Sequence, residues 1–234
     1  MMNRHIQAVI FDMDGLMFDT ELLYQKAWQQ AGAEMGLEVT EPFLATLRGG
    51  NYQQVKNRFL EQFGQDLDFD SLRNRRTALF DEELNRHGVP VKKGLRELLD
   101  YLRQNRCPMA VASASARNVV SHHLKETGLT DYFSVIITGD MVTACKPDPE
   151  VFYKAAEQLG CRPEHCIVLE DSINGIRAAW AGGFLPVMVP DLTQPDETLS
   201  QLLWAKCDSL LDVIPLLEQT EDPSTYNRGR KPCE

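Results

Sequence analysis

Hydrophobic and polar positions change period along this chain, and the changes mark its parts. Ala8, Val9, Ile10 and Phe11 form a short unbroken apolar run, of the length and type of a buried strand. From Thr20 the period turns helical: Leu23, Ala27, Ala31 and Met35 predict a helix that opens at Asp19-Thr20 and stops at Gly36. Pro42 to Leu47 predicts a short helix ended by Gly49-Gly50, and Tyr52 to Phe63 another, with Val55, Phe59 and Phe63 on one face. A fourth, capped by Asp70-Ser71, runs through Leu72, Leu79 and Leu84 to Gly88. No strand pattern interrupts these four, so about 70 residues predict a small helical bundle of their own.

From Val89 helix and strand alternate. Leu95, Leu98, Leu99 and Leu102 mark a helix and Met109 to Ala112 a strand. A helix through Val119, Val120 and Leu124 precedes a strand at Val135 to Thr138, and a helix from Pro149 to Leu159 precedes a strand at Cys166 to Leu169. Ile173 to Ala181 is helical up to Gly182-Gly183, Leu185 to Val189 is extended, and two further helices are expected near Glu197 to Ala205 and Leu210 to Leu217. Such alternation predicts an α/β fold: a Rossmann-like parallel sheet core with helices on both faces. The first strand joins that sheet, so the four helices are an insertion. The expected division is a core of residues 1–18 and 89–219, a helical cap of residues 19–88, and a polar, flexible tail of residues 220–234.

Composition narrows the partners. A net charge of −10 argues against nucleic acid or an anionic membrane, both of which need a basic footprint. No segment approaches the roughly 20 apolar residues of a membrane span, and the first apolar run is too short for a signal peptide. Six cysteines without a C-x-x-C or a regular framework fit a reducing compartment, hence the cytoplasm. A small anionic partner stays open, since a local cluster of donors and a metal can overcome a distant negative field, and the oligomeric state is not legible, a monomer being compatible with the composition.

Four strand ends carry chemistry. Asp12 and Asp14 stand where the first apolar run stops, followed by Gly15. In open α/β sheets ligands bind outside the carboxyl ends of strands, although two acids also suit a capped turn. Ser113-Ala114-Ser115 follow the second strand, as an anion cradle or as a turn in which Ser115 caps the next helix. Lys146 stands in Cys145-Lys146-Pro147-Asp148-Pro149, on a loop stiffened by proline, with Asp148 as N-cap and Pro149 as first helical residue. Glu170-Asp171 precede a helix, to complement its dipole or to bind a hard cation. Singly each is ambiguous; their coincidence at four ends of one sheet points to a site.

FDMDG, VASAS, the lysine of CKPDP and LEDS resemble the four signature motifs of the haloacid dehalogenase-like superfamily. The similarity runs from about Gln7 to Asp191, and the layout resembles the branch with a helical cap inserted after the first motif, which includes β-phosphoglucomutase and sugar-phosphate and nucleotide phosphatases. The longer DMDGLMFDTE string is also similar to members acting on pseudouridine or sugar phosphates. The resemblance implies that Asp12 is the nucleophile, forming an aspartyl-phosphate, and that Asp14 is the general acid and base. It implies Mg²⁺ on Asp12, the Asp14 carbonyl and Asp171, with Glu170 as ligand or support, and a phosphate site of Ser113, Ala114 and Lys146. A carboxylate about 4 Å from one phosphate charge is opposed by roughly 4 kcal/mol at an effective dielectric of 20, which cation and ammonium would offset.

By the same resemblance Asp14 implies a phosphate ester with a poor leaving group, because dehalogenating and phosphonate-cleaving members lack an acid there. The inserted helices would be a lid hinged at Met17 to Asp19 and Gly88 to Lys93. Substrate-reading residues are expected near Arg48 to Asn51, at Glu21 and Tyr24, at Ser115 and at Arg76, although Arg73 and Arg76 also suit a solvated surface pair. The implied activity is a Mg²⁺-dependent phosphatase of a small phosphorylated metabolite: a sugar phosphate or a nucleoside or pseudouridine monophosphate. The alternative is a phosphomutase, from whose pattern the chain departs at Tyr24, where β-phosphoglucomutase has histidine.

Overall fold

The computed structural model describes residues 6–47 and 52–220; Arg48 and Asn51, two expected substrate-reading residues, and the expected tail beyond 220 lie outside them. Six parallel strands make one sheet in the order β3-β2-β1-β4-β5-β6: β1 Ala8–Phe11, β2 Met109–Ala112, β3 Val135–Ile137, β4 Cys166–Glu170, β5 Leu185–Met188 and β6 Ala205–Lys206. The order reverses beside β1, between β2 and β4, which is where doubly wound sheets open their binding crevice. The α/β Rossmann-like class predicted from the alternation is therefore the observed one.

Strand alternation sorts the core into two faces. Val9 and Phe11 point into one cluster with Val111, Leu169 and Val187, backed by α5 (Leu95–Gln104) and α6 (Arg117–Glu126). Ala8 and Ile10 point into the other with Ala110, Ala112 and Val168, under α7 (Glu150–Leu159) and α8 (Ile173–Ala181). All four residues of β1 are buried, as a central strand covered on both faces must be. In α5, Leu95, Leu98, Leu99 and Leu102 are buried at the i, i+3, i+4, i+7 spacing of one helical face.

Between β1 and α5 come α1 Glu21–Glu34, α2 Glu41–Ala45, α3 Tyr52–Phe63 and α4 Phe69–His87. Aromatic rings hold them together: Trp28 lies 4.7 Å from Phe59, Phe43 meets Phe63 edge-on at 5.3 Å, and Tyr24 stacks on Phe80 at 4.0 Å. The chain enters and leaves this segment by two connectors that pair. Phe18 bridges Val91, the Asp19 N–H donates to the Pro90 carbonyl at 2.9 Å, and the Lys92 N–H donates to the Met17 carbonyl at 2.9 Å.

Several local expectations are corrected. α4 is capped by Asp68, whose carboxylate accepts the Ser71 N–H at 3.0 Å, rather than by Asp70-Ser71. α7 starts one residue late, with Pro149 at the cap position, yet the Asp148 carboxylate still takes the Glu150 N–H. The helix expected up to Ala205 is only α9, Glu197–Ser200; Ala205 belongs to β6, which pairs with Val187 and Met188 at the sheet edge. A two-residue strand carries no periodicity of its own. The last helix, α10, is Val213–Thr220.

Candidate active site

The site begins where β1 ends. Gly15 turns the chain at φ +82°, a conformation glycine adopts without strain. It also makes room: a Cβ at Gly15 would collide with the Asp171 carboxylate, and one at Gly175 with the Glu170 carboxylate. Two glycines thus allow β1 and α8 to close on a pair of acids at the end of β4.

Lys146 arrives on the loop before α7 and inserts its ammonium among them. Its Nζ donates to Asp12 Oδ1 at 2.5 Å, to Glu170 Oε1 at 2.7 Å and to the Ala112 carbonyl at 3.1 Å. All three ammonium protons are placed. Its side chain is 8% exposed and lies over the Phe152 ring, so the charge is desolvated as well as paired. Both carboxylates hold its proton more tightly than in water, and the ammonium is raised above its ordinary range despite burial.

The acids outnumber the cation. Oxygens of Asp12, Glu170 and Asp171 lie within 4.8 Å of one another, and all three residues are buried. Glu170 Oε2 also accepts from the N–H and hydroxyl of Ser172, so most of its acceptor capacity is used. Burial, with Glu170 and Asp14 close by, raises the Asp12 carboxyl to about 8 against the pull of Lys146. Burial and the neighbouring Glu170 and Asp12 push Asp171 well above the carboxylate range. Three buried carboxylates facing one ammonium leave two negative charges uncompensated when all are ionised, and hard oxygen donors in this arrangement fit a divalent cation such as Mg²⁺.

A raised carboxyl favours the folded state while protonated. That stability is complete below the unfolded value near 4 and is lost as pH rises through the folded value. The metal-free protein should therefore lose thermal stability between about pH 5 and pH 8. Mg²⁺ at 100 times its dissociation constant should add about 2.7 kcal/mol, a rise in Tm of roughly 5–11 °C at about 2–4 °C per kcal/mol for a chain of this size. The rise should be larger near pH 8 than near pH 6, because the metal competes with protons for the same oxygens. Thermal melts at the two pH values check this; an equal or larger rise at the lower pH contradicts it.

Asp14 is held apart from this cluster. Its Oδ1 accepts from the Thr20 hydroxyl at 3.0 Å and its Oδ2 from the Ser115 hydroxyl at 2.7 Å. Ser115 therefore does not cap α6, where Ala116 stands at the cap and Asp140 takes the Arg117 N–H. Ser113 is 1% exposed, and its hydroxyl oxygen accepts the Ser115 N–H at 3.0 Å, leaving its own proton for another acceptor.

These strand ends surround a cavity of about 430 Å³. It is lined by Asp12, Asp14, Ser113, Ala114, Lys146, Glu170 and Asp171, all expected from the sequence, and by Glu21 from α1. Ala45, Tyr52, Asn174, Leu192 and Thr193 also line it, although nothing in their residue types advertised a site. The signal for these last three is position rather than residue type: Leu192 and Thr193 stand on the loop after β5, and Asn174 stands in the first turn of α8, just past the end of β4. Tyr24 and Arg76 are not among the described residues that line it. Tyr24 is stacked on Phe80, and burial raises its hydroxyl well above the ordinary tyrosine value. The Arg76 guanidinium lies 4.9 Å from the Tyr24 ring and 4.8 Å from the Trp28 ring. It is thus wedged between aromatic faces and is not a solvated pair with Arg73. Its Nε is buried without a hydrogen-bond partner among the described residues.

A family model described as haloacid dehalogenase-like hydrolase matches residues 9–189. A phosphorylated carbohydrates phosphatase from Thermotoga maritima is 32% identical over 180 residues, covering 76% of this chain and 82% of that protein. The fructose-1-phosphate phosphatase YqaB of Escherichia coli is 32% identical over 178 residues, covering 75% and 92%. Among solved structures, a hydrolase of this family from Deinococcus radiodurans, with bound phosphate and sodium, superposes with a TM-score of 0.73 at 30% identity, covering 92% and 96%. A putative β-phosphoglucomutase from Thermotoga maritima superposes at 0.75 with 26% identity, covering 92% and 99%. With a family match spanning the sheet from β1 to β5 and relatives this similar over three quarters of its length, the chain belongs to the haloacid dehalogenase-like hydrolases.

Proposed function

We propose that the protein is a Mg²⁺-dependent phosphatase that hydrolyses a small phosphomonoester, a sugar phosphate first among the candidates, through an aspartyl-phosphate on Asp12. The observation that carries this is the convergence of Asp12, Ser113, Lys146 and Asp171 from four strand ends onto one cavity. Asp12 attacks phosphorus in line, the bond to the ester oxygen breaks, and Asp14 gives that oxygen its proton. Asp14 then takes a proton from the water that hydrolyses the acyl phosphate. Two hydroxyl donors on Asp14, from Thr20 and Ser115, suit a carboxyl that must alternate between acid and base at a fixed place. Lys146 holds Asp12 and neutralises part of the repulsion between carboxylate and phosphate, and Ser113 donates to a phosphoryl oxygen. Bound by Asp12, Asp171 and the Asp14 carbonyl, Mg²⁺ would supply the remaining neutralisation, with Glu170 supporting the set.

The helical segment of residues 19–88 acts in this proposal as a cap over a core of residues 1–18 and 89–219. Glu21 and Tyr52 bring it to the cavity, where it reads the leaving group. Relatives named for phosphorylated carbohydrates and for fructose 1-phosphate support sugar phosphates as the first class to try. Incubating the protein and Mg²⁺ with sugar phosphates and nucleoside monophosphates, and following free phosphate, tests the proposal. Release across several sugar phosphates is expected. Isomerisation of a hexose 1-phosphate with little release would assign a phosphomutase instead, and neither outcome with any member would discard both.

A further inference from the structure

We propose that Lys92 is a positioning residue: its ammonium pins the two connectors of the helical segment to the loop that walls the cavity, and so fixes where that segment sits over Asp12. The kinetic consequence rests on the phosphatase reading above; the structural one rests on geometry alone. Two backbone hydrogen bonds, flanking the Phe18–Val91 bridge, pair the connectors at residues 17–19 and 90–92, but paired strands of so few residues are marginal by themselves. The Lys92 side chain adds a tie of another kind. Its Nζ lies 3.0 Å from Asp19 Oδ1, on the first connector, and 2.6 Å from Asp191 Oδ1. Asp191 immediately precedes Leu192 and Thr193, which line the cavity. The same loop hangs from the acid cluster's own strand, because the Val189 N–H donates to the Glu170 carbonyl at 2.8 Å. One ammonium therefore joins both connectors to the cavity wall.

The two ion pairs differ in strength. Asp19's side chain is 50% exposed and Asp191's 10%. An exposed pair adds little, whereas a desolvated pair resists separation because each partner left behind is an uncompensated charge. Asp191 Oδ2 is buried and takes no hydrogen bond from the described residues, so this carboxylate leans heavily on Lys92. The Asp191 pair is thus the anchor and the Asp19 pair the arm that lets go when the helical segment swings.

Lys92→Met, Lys92→Arg and the double variant Lys92→Met with Asp191→Asn test this, by amide hydrogen exchange and by steady-state kinetics. In Lys92→Met the amides of residues 19 and 92 should exchange at least tenfold faster while those of β1 and β4 hold their rates. KM for the phosphomonoester should rise about tenfold with kcat changed less than threefold. Lys92→Arg should restore both, and the double variant should recover part of the loss because no carboxylate is left uncompensated. Unchanged exchange at those two amides, or equal acceleration across the whole sheet, would overturn the clamp. Altered exchange with wild-type KM would overturn its role in the reaction. If wild type releases no phosphate from any phosphomonoester, the phosphatase reading fails, and the exchange data alone decide whether the clamp exists.

Discussion

Asp12→Asn will abolish phosphate release, lowering kcat by at least about four decades, while leaving the fold and its thermal midpoint within about 2 °C. The two halves of that expectation come from the same environment. A carboxamide oxygen is too weak a nucleophile to open an ester at phosphorus, so the covalent route closes. Folding, by contrast, gains little from this carboxylate. Burial raises Asp12 to about 8, so near neutral pH the metal-free protein must either hold a proton there or keep a desolvated charge. Asparagine has the same shape without the charge. Lys146 keeps Glu170 at 2.7 Å and the Ala112 carbonyl at 3.1 Å, so the ammonium is not stranded. Purified variant and wild type, compared by phosphate release and by thermal melting, check both halves. Turnover within a hundredfold of wild type would remove Asp12 from the reaction; lost turnover with a collapsed melt would show that its part is structural.

What could be read from the sequence, and what could not, divides along a physical line. Asp12, Ser113, Lys146 and Asp171 were legible because each follows an apolar run whose length gives a strand, and strand ends of one parallel sheet meet at one edge. The direction a side chain takes after arriving there was not legible. Ser115 stands 101 positions from Asp14 in sequence, and its choice of that carboxylate over the helix N-terminus depends on how β1 and β2 lie side by side. Arg76 suited either the substrate site or a solvated surface pair with Arg73, because both readings rest on helical spacing alone. It is wedged instead because Tyr24 and Trp28, four apart on α1, present two flat faces to α4. Lys92 falls within the expected hinge of Gly88 to Lys93, but its ion pairs are not legible because its partners come from positions 19 and 191, which only the folded chain brings together. Backbone periodicity predicts elements; pairings between elements need the packing.

Lys146→Met should cost about three decades in kcat/KM and, unlike Asp12→Asn, should also destabilise the protein. Methionine matches the length of the lysine stem and can still pack on Phe152, so the change is chiefly one of charge. Removing one unit charge about 4 Å from the phosphate is worth roughly 4 kcal/mol at an effective dielectric of 20, which is about three decades of rate. For the fold, Asp12 and Glu170 lose their shared cation while both stay buried. Breaking such a pair from one side typically costs about 3–5 kcal/mol. Asp12 will respond by holding its proton more firmly still, because the ammonium that pulled its carboxyl down is gone. The sign follows from that: the variant's stability is retained at acidic pH and lost as pH rises, and the Tm deficit against wild type should be greater near pH 8 than near pH 6. Mg²⁺ should restore part of the Tm and little of the rate, because it replaces positive charge among the carboxylates without replacing the ammonium beside the phosphate. Melts with and without Mg²⁺ at the two pH values, together with kcat/KM, separate these effects. A variant that keeps its rate within tenfold, or whose Tm deficit is the same at both pH values, would show that Lys146 is not the counter-charge on which this cluster depends.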